Sequence, residues 1–233
     1  MKKQMTKVLA AVAAASVTAG SAALAAEATV GVDVSSAYVF RGATFNDGFV
    51  AQPYLDVSGL PIDIGVWGNL DIDDYDDSLN SGEFSEINIY ASYTIPVEGV
   101  DASIGYTEYI YPGAELEADR EVSLSLGLDV PLAPSVGIYY GLDGGIKKNI
   151  YVEAGLGHDI ELDEGISLSL GAAVGYLNPD EGESGFSHWQ VSAALNYDFI
   201  SLGVTYVDTI DKDVLGDAYD VEVIGTLSLS YSF

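Results

Sequence analysis

The sequence predicts an all-β fold: a transmembrane antiparallel up-and-down β-barrel of about twelve strands. Three observations predict it. Residues 219–233 alternate without a break, with Tyr219, Val221, Val223, Gly225, Leu227, Leu229, Tyr231 and Phe233 on one face and Asp220, Glu222, Ile224, Thr226, Ser228, Ser230 and Ser232 on the other. Side chains alternate across a strand, so one face is oily and the other mostly wet. On an open sheet edge such a strand invites aggregation, whereas in a closed membrane barrel one face meets lipid and the other a lumen, and no edge remains. The same alternation recurs along the rest of the chain. The links between these segments also alternate between short turns and longer polar loops, as at the two ends of an outer-membrane barrel.

The strands follow in order. The first, 28–41, carries Val30, Val32, Val34, Tyr38 and Phe40 on its apolar face. The second, 49–58, carries Phe49, Ala51, Leu55 and Val57; the third, 62–71, carries Ile62, Ile64, Val66 and Leu70. The fourth, 85–95, shows Ile87, Ile89, Ala91, Tyr93 and Ile95, and the fifth, 100–109, shows Val100, Ala102, Ile104 and Tyr106. The sixth sets Val122, Leu124, Leu126, Leu128 and Val130 against Ser123, Ser125, Gly127 and Asp129. The seventh holds Val136, Ile138, Tyr140 and Leu142, the eighth Ile150, Val152, Ala154 and Leu156, and the ninth Ile166 to Tyr176. The tenth runs from Trp189 to Phe199, the eleventh shows Leu202, Val204 and Tyr206, and the twelfth is the terminal strand. Links after even-numbered strands are short: 59–61, 96–99, 131–135, 161–165 and the corner at Ile200. An even count puts both termini at one end. Tyr93, Tyr176, Tyr197, Tyr206, Tyr231 and Phe233 fall near strand ends on the apolar face, where interfacial girdles form. The rival is a soluble sandwich or lipocalin-like barrel, whose apolar face would point inward. Its outer surface would carry both charge signs, whereas here Ser, Gly, Thr and Asp dominate the polar face.

Composition bounds the rest. Lys2, Lys3 and Lys7 precede an Ala-rich apolar run that ends at Ala23-Leu24-Ala25, the pattern of a secretory signal peptide over 1–25. Residues 26–233 then form one domain, and no later run is long enough for a transmembrane helix. The chain has 36 acids against 8 bases, and without the three leading lysines only 5 bases remain. That balance excludes a nucleic-acid binder. There is no cysteine, so there is no disulfide framework and no thiol chemistry. No phosphate loop, nucleotide fingerprint or Cys/His metal spacing occurs, and no cofactor is implied.

Two segments carry a family resemblance. Ser36-Ala37-Tyr38-Val39-Phe40-Arg41-Gly42, followed by Asn46-Asp47-Gly48 and Gln52-Pro53, resembles the first hairpin of the Gcw_chp-type family of bacterial outer-membrane porins. Gly65-Val66-Trp67-Gly68-Asn69, with Asp71 after it, resembles the same family's third-strand motif. The chain departs from the family pattern at Gln52-Pro53, where a Pro-Ala segment is more usual. The resemblance implies an outer-membrane barrel of poorly defined function, with Tyr38, Phe40, Arg41, Gly42, Trp67 and Gly68 as its motif residues. The ending Leu227, Leu229, Tyr231, Phe233 likewise resembles the sorting signal of bacterial outer-membrane barrels, which implies the barrel assembly machinery and outer-membrane lipid as partners.

By parity the lumen receives Asp33, Arg41, Asp56, Asp63, Glu86, Asp101, Asp129, Asp143, Glu153, Asp198, Asp220 and Glu222. Rings of carboxylates favour cations and repel anions, which points to a narrow passive channel for small cations or neutral solutes. The plainer reading is that these acids hydrate a barrel wall. Arg41 either pairs with an acid on a neighbouring strand or orients an anionic solute group. The inward aromatics Tyr54, Trp67, Tyr90, Tyr139 and Tyr151 either stack a solute or fill a small barrel. The loop 71–77 carries five carboxylates but lacks the Gly and closing Glu of a calcium-binding loop, so a solvated loop is expected. His158 and His188 are the general-base candidates. Ser187 and His188 are expected on opposite faces, which argues against a rim hydrolase. The alternative to a channel is a non-conducting structural or adhesive surface barrel that uses its acidic loops.

Overall fold

The computed structural model describes residues 26–73, 79–114, 116–218 and 220–233. The stretch 1–25 read as a signal peptide, and residues 74–78 of the acidic loop, lie outside them. The chain order is β1 (Glu27–Ser35), β2 (Tyr38–Phe40), β3 (Ala43–Asn46), β4 (Val50–Ser58), β5 (Asp63–Asp71), β6 (Phe84–Val97) and β7 (Val100–Ile110). It continues with β8 (Asp119–Gly127), β9 (Ser135–Asp143), β10 (Ile150–Asp163), β11 (Ile166–Asn178), β12 (Gly185–Tyr197), β13 (Ile200–Thr209), the one-turn helix α1 (Lys212–Leu215) and β14 (Val223–Ser232). Twelve strands close a barrel in which β1 pairs with both β4 and β14, while β2 and β3 form a separate two-stranded sheet. All barrel neighbours are antiparallel. The seam sets Leu229 against Val32 and Leu227 against Val34, and Ala28 and Phe233 exchange backbone hydrogen bonds at its end.

The apolar face points outward all the way round. Ile89 is 52% exposed, Leu202 62% and Val204 49%. A continuous exposed band of this kind has the chemistry of a lipid contact and not of a soluble surface, and it rules out the inward-facing core of a soluble sandwich. Aromatic pairs flank the band: Trp189 with Tyr206 and Tyr176 with Phe186 at the loop end, and Tyr231 with Phe233 at the turn end. Ser and Gly recur on the inner face and leave recesses for large rings. A side chain at Gly65 would collide with the Tyr90 ring laid across it.

The strand scheme differs from expectation in four places. Strand one stops at Ser35, because Ser36 bonds to Gly225 through both its backbone and its Oγ and turns the chain inward. Tyr38 and Phe40 therefore belong to a separate hairpin and not to the lipid face. β8 ends at Gly127, so Asp129 is exposed in a turn where Leu132 and Ala133 adopt positive φ. β12 ends at Tyr197, and Asp198 (φ 51°) forms the exposed tight turn to β13. β10 runs on to Asp163 past a bulge and turns through Glu164-Gly165. Asp129 and Asp198 are thus turn residues and do not line the lumen.

Candidate functional site

The β2–β3 hairpin folds from the loop end into the barrel. Its tip is the two-residue turn Arg41-Gly42, with φ of 53° and 84°. Positive φ at both central positions is the turn geometry that suits the right-handed twist of a hairpin. Glycine takes it without cost, whereas arginine does so under strain. A Cβ at Gly42 would also stand 2.7 Å from the His188 side chain. Gly42→Ala is expected to weaken hairpin docking by about 1–2 kcal/mol, from the left-handed backbone alone. Limited proteolysis at the hairpin of the folded barrel measures this as faster cleavage.

Each part of the hairpin is held by the wall. Arg41 Nη1 and Nη2 donate to Glu121 Oε2 and Oε1 of β8, both at 2.8 Å. Its guanidinium lies over three rings: Phe40 at 4.7 Å, Tyr139 at 4.5 Å and Tyr151 at 4.4 Å. The Tyr38 hydroxyl donates to Glu86 Oε2, and its ring packs on Trp67 and Phe45. Asn46 Nδ2 and Asn69 Nδ2 both donate to Asp71 Oδ1, and Gln52 donates to Asn69. On the far side, Thr44 Oγ1 accepts from the backbone of Asp220 and Val221. Planar forks on carboxylates and cations over aromatic faces are among the strongest polar contacts available to a side chain.

The seat is dry. Glu86, Glu121 and Glu153 are each about 5% exposed or less, and Tyr151 and His188 are fully buried. Glu121 Oε1 also accepts from Tyr109, and Tyr151 donates to Glu153. Burial by itself would lower the Arg41 pKa, but the Glu121 fork and its charge hold it above its ordinary value, so the guanidinium stays ionised. Just beyond β7, burial raises the Tyr111 phenol, and its bond to Asp119 raises it further. Toward the turn end the lumen changes character. Small residues dominate the wall there, Tyr90 donates to Asp56, and Ser201, Asn196 and Ser169 form a hydrogen-bonded net.

The predicted lumen residues thus divide. Asp33, Asp56, Glu86, Asp101 and Glu153 are on the inner face. Asp63 is there too, with its carboxylate turned to cap the Gly59 backbone N–H at the turn end. Asp143 instead pairs with Arg120 and Lys147 at the loop end, and Asp220 and the exposed Glu222 precede β14 at that rim. Among the described residues Arg41 is the one cation inside the barrel. Its partner lies across the lumen and not on a neighbouring strand. Tyr54, Trp67, Tyr90, Tyr139 and Tyr151 point inward, and the last two, with centroids 5.8 Å apart, form the V that receives Arg41. His158 faces outward on β10 opposite Leu170.

Sequence reasoning missed Glu121 and Asp119, although Glu121 shares the parity of Ser123 and Ser125 and needed only the extension of that strand by one residue. It also misplaced Ser187. A bulge skips this residue, because Gly175 pairs with His188 and Tyr176 with Phe186. Ser187 and His188 are therefore buried together, with Oγ 3.1 Å from Nδ1. Bulges redirect side chains in this way.

A family model described as "Bacterial protein of unknown function (Gcw_chp)" matches residues 18–227. The chain belongs to the Gcw_chp family. The match extends well beyond the two motif segments and includes the whole hairpin, its seat and the first half of β14. No curated protein matches the chain. Among solved structures, a membrane protein from work on in-meso crystallization is 11% identical with a TM-score of 0.53, over 89% of this chain and 84% of that one. The NanC porin is 10% identical with a TM-score of 0.47, over 90% and 99%. An outer-membrane channel of Pseudomonas putida F1 is 11% identical with a TM-score of 0.47, over 94% and 100%. At such identities the likeness is one of fold, and this Gcw_chp chain is a closed transmembrane β-barrel.

Proposed function

We propose that the protein is a porin-like passive channel of the bacterial outer membrane for small cations or neutral solutes, constricted at its loop end by the β2–β3 hairpin. The observation that carries this reading is the Arg41–Glu121 fork, which holds the β2–β3 hairpin inside an otherwise acidic lumen. The inner-face carboxylates Asp33, Asp56, Asp101 and Glu153 supply the cation preference, since Arg41 is neutralised by its own partner. Short turns at the end that holds both termini put that end in the periplasm and the loops outside. Residues 1–25 serve as the export signal, and Leu227, Leu229, Tyr231 and Phe233 as the strand read by the assembly machinery. Solute passage requires no catalytic step.

The experiment is planar-bilayer recording on the refolded chain under a potassium chloride gradient. A reversal potential of the sign for cation preference is expected, and an anion-selective reversal would contradict the acidic-lumen argument. The filled loop-end half favours one second reading, a non-conducting structural or adhesive barrel. Complete absence of conductance, with the hairpin both seated and released, would favour that reading.

A further inference from the structure

We propose that the seat of Arg41 is a binding site for solutes carrying a guanidinium group, with Arg41 as their built-in competitor. The wall shows the chemistry through the occupant it already holds. Glu121 presents both carboxylate oxygens to one planar fork, and Tyr139 and Tyr151 present ring faces at 4.5 and 4.4 Å. A guanidinium satisfies the two-pronged carboxylate and both ring faces at once, whereas an ammonium, a compact and strongly hydrated point charge, cannot match the fork.

The two halves of this contact are anchored differently. Glu121, Tyr139 and Tyr151 stand on β8, β9 and β10, whose register is fixed by the barrel ladders. Tyr109 holds Glu121 Oε1, and Tyr151 is tied to Glu153, so the cage keeps its shape without Arg41. The hairpin has no ladder to the barrel; β2 and β3 pair only with each other, and side-chain bonds and packing seat them. When the hairpin leaves, Glu121 faces the lumen without its cation, and a second planar cation can take the fork that Arg41 has left. Solute and hairpin tip exclude each other from one seat, so each weakens the other's binding, and the solute that fits is the one that opens its own path. Binding at the seat does not depend on the channel reading, whereas passage of the solute does.

The test is calorimetric titration of the full-length refolded chain in detergent with methylguanidinium chloride, and with methylammonium chloride at equal ionic strength. Wild type is compared with Arg41→Ala, with Arg41→Gln and with Arg41→Gln/Glu121→Gln. Heat-modifiable gel migration verifies that each is folded, and Arg41→Gln keeps most of the stem packing if the alanine variant does not fold. Either single variant is expected to bind one methylguanidinium at least about tenfold more tightly than wild type, because the competing tip is gone. It should bind methylammonium more weakly, and the double variant should lose the site. Equal binding by wild type and the single variants, equal binding of the two cations, or retention in the double variant would each overturn the inference. Binding without conductance would leave it standing and refute the channel; conductance without binding would do the reverse.

Discussion

Replacing Arg41 with alanine is expected to free the hairpin and raise single-channel conductance. The fork to Glu121 is largely buried, with side-chain exposures of 17% for Arg41 and 4% for Glu121. Removing one partner of a buried ion pair costs about 3–5 kcal/mol, since the other charge is left desolvated and alone. At 1.4 kcal/mol per factor of ten, the docked fraction falls relative to the free one by about two to three and a half orders of magnitude. The ring contacts add to this, each worth about 0.5–1 kcal/mol or more when desolvated. Arg41→Lys keeps the charge but loses the fork and is expected to fall between wild type and alanine. In a double-mutant cycle, Arg41→Ala combined with Glu121→Gln should add little to either single change, because both remove one interaction. Conductance unchanged by Arg41→Ala would show that the hairpin does not constrict the pore.

A charge on the lipid face is expected to have the next largest effect. Leu227 lies midway along β14, faces outward and is 41% exposed. Leu227→Arg at such depth should destabilise the barrel by about 2–4 kcal/mol. The same residue introduced by Ser92→Arg enters the lumen opposite Asp63 and should cost little. Urea unfolding in lipid vesicles reads both. Ser228, on the wet face of the same strand, is a poorer control, because it is only 2% exposed and packs beside Asp33. Equal destabilisation by the Leu227 and Ser92 changes would contradict the assignment of faces.

Most of the barrel was legible because lipid demands an apolar side chain at nearly every second position of a strand core. The hairpin was not, for a physical reason. Tyr38 and Phe40 continue the parity of Val30, Val32 and Val34, so period-two counting runs straight through the break at Ser35-Ser36-Ala37. The turn pairs Arg41-Gly42 and Asp47-Gly48 were the available signal, and they mark where a long first strand should have been divided. The acids of the lumen could be found by parity wherever strands were correctly bounded, which is why Glu86 and Glu153 were found and Asp129 and Asp198 were misassigned. The pairing of Arg41 with Glu121 joins residues 80 apart inside the barrel, and no local pattern encodes a contact between non-adjacent elements. The family model spans residues 18–227 and carries no function of its own.

The central claim is that the hairpin obstructs the pore while it is seated. The chain contains no cysteine, so a single introduced disulfide can lock the hairpin to the wall. A Cβ built at Gly42 lies 2.7 Å from His188 Cβ, and a shift of about 1 Å brings the pair into the disulfide range. Gly42→Cys with His188→Cys, in the Arg41→Ala background, is to be recorded in a planar bilayer before and after dithiothreitol. Low conductance is expected when the pair is oxidised, with a reversible rise on reduction. Identical conductance in the two states would contradict it.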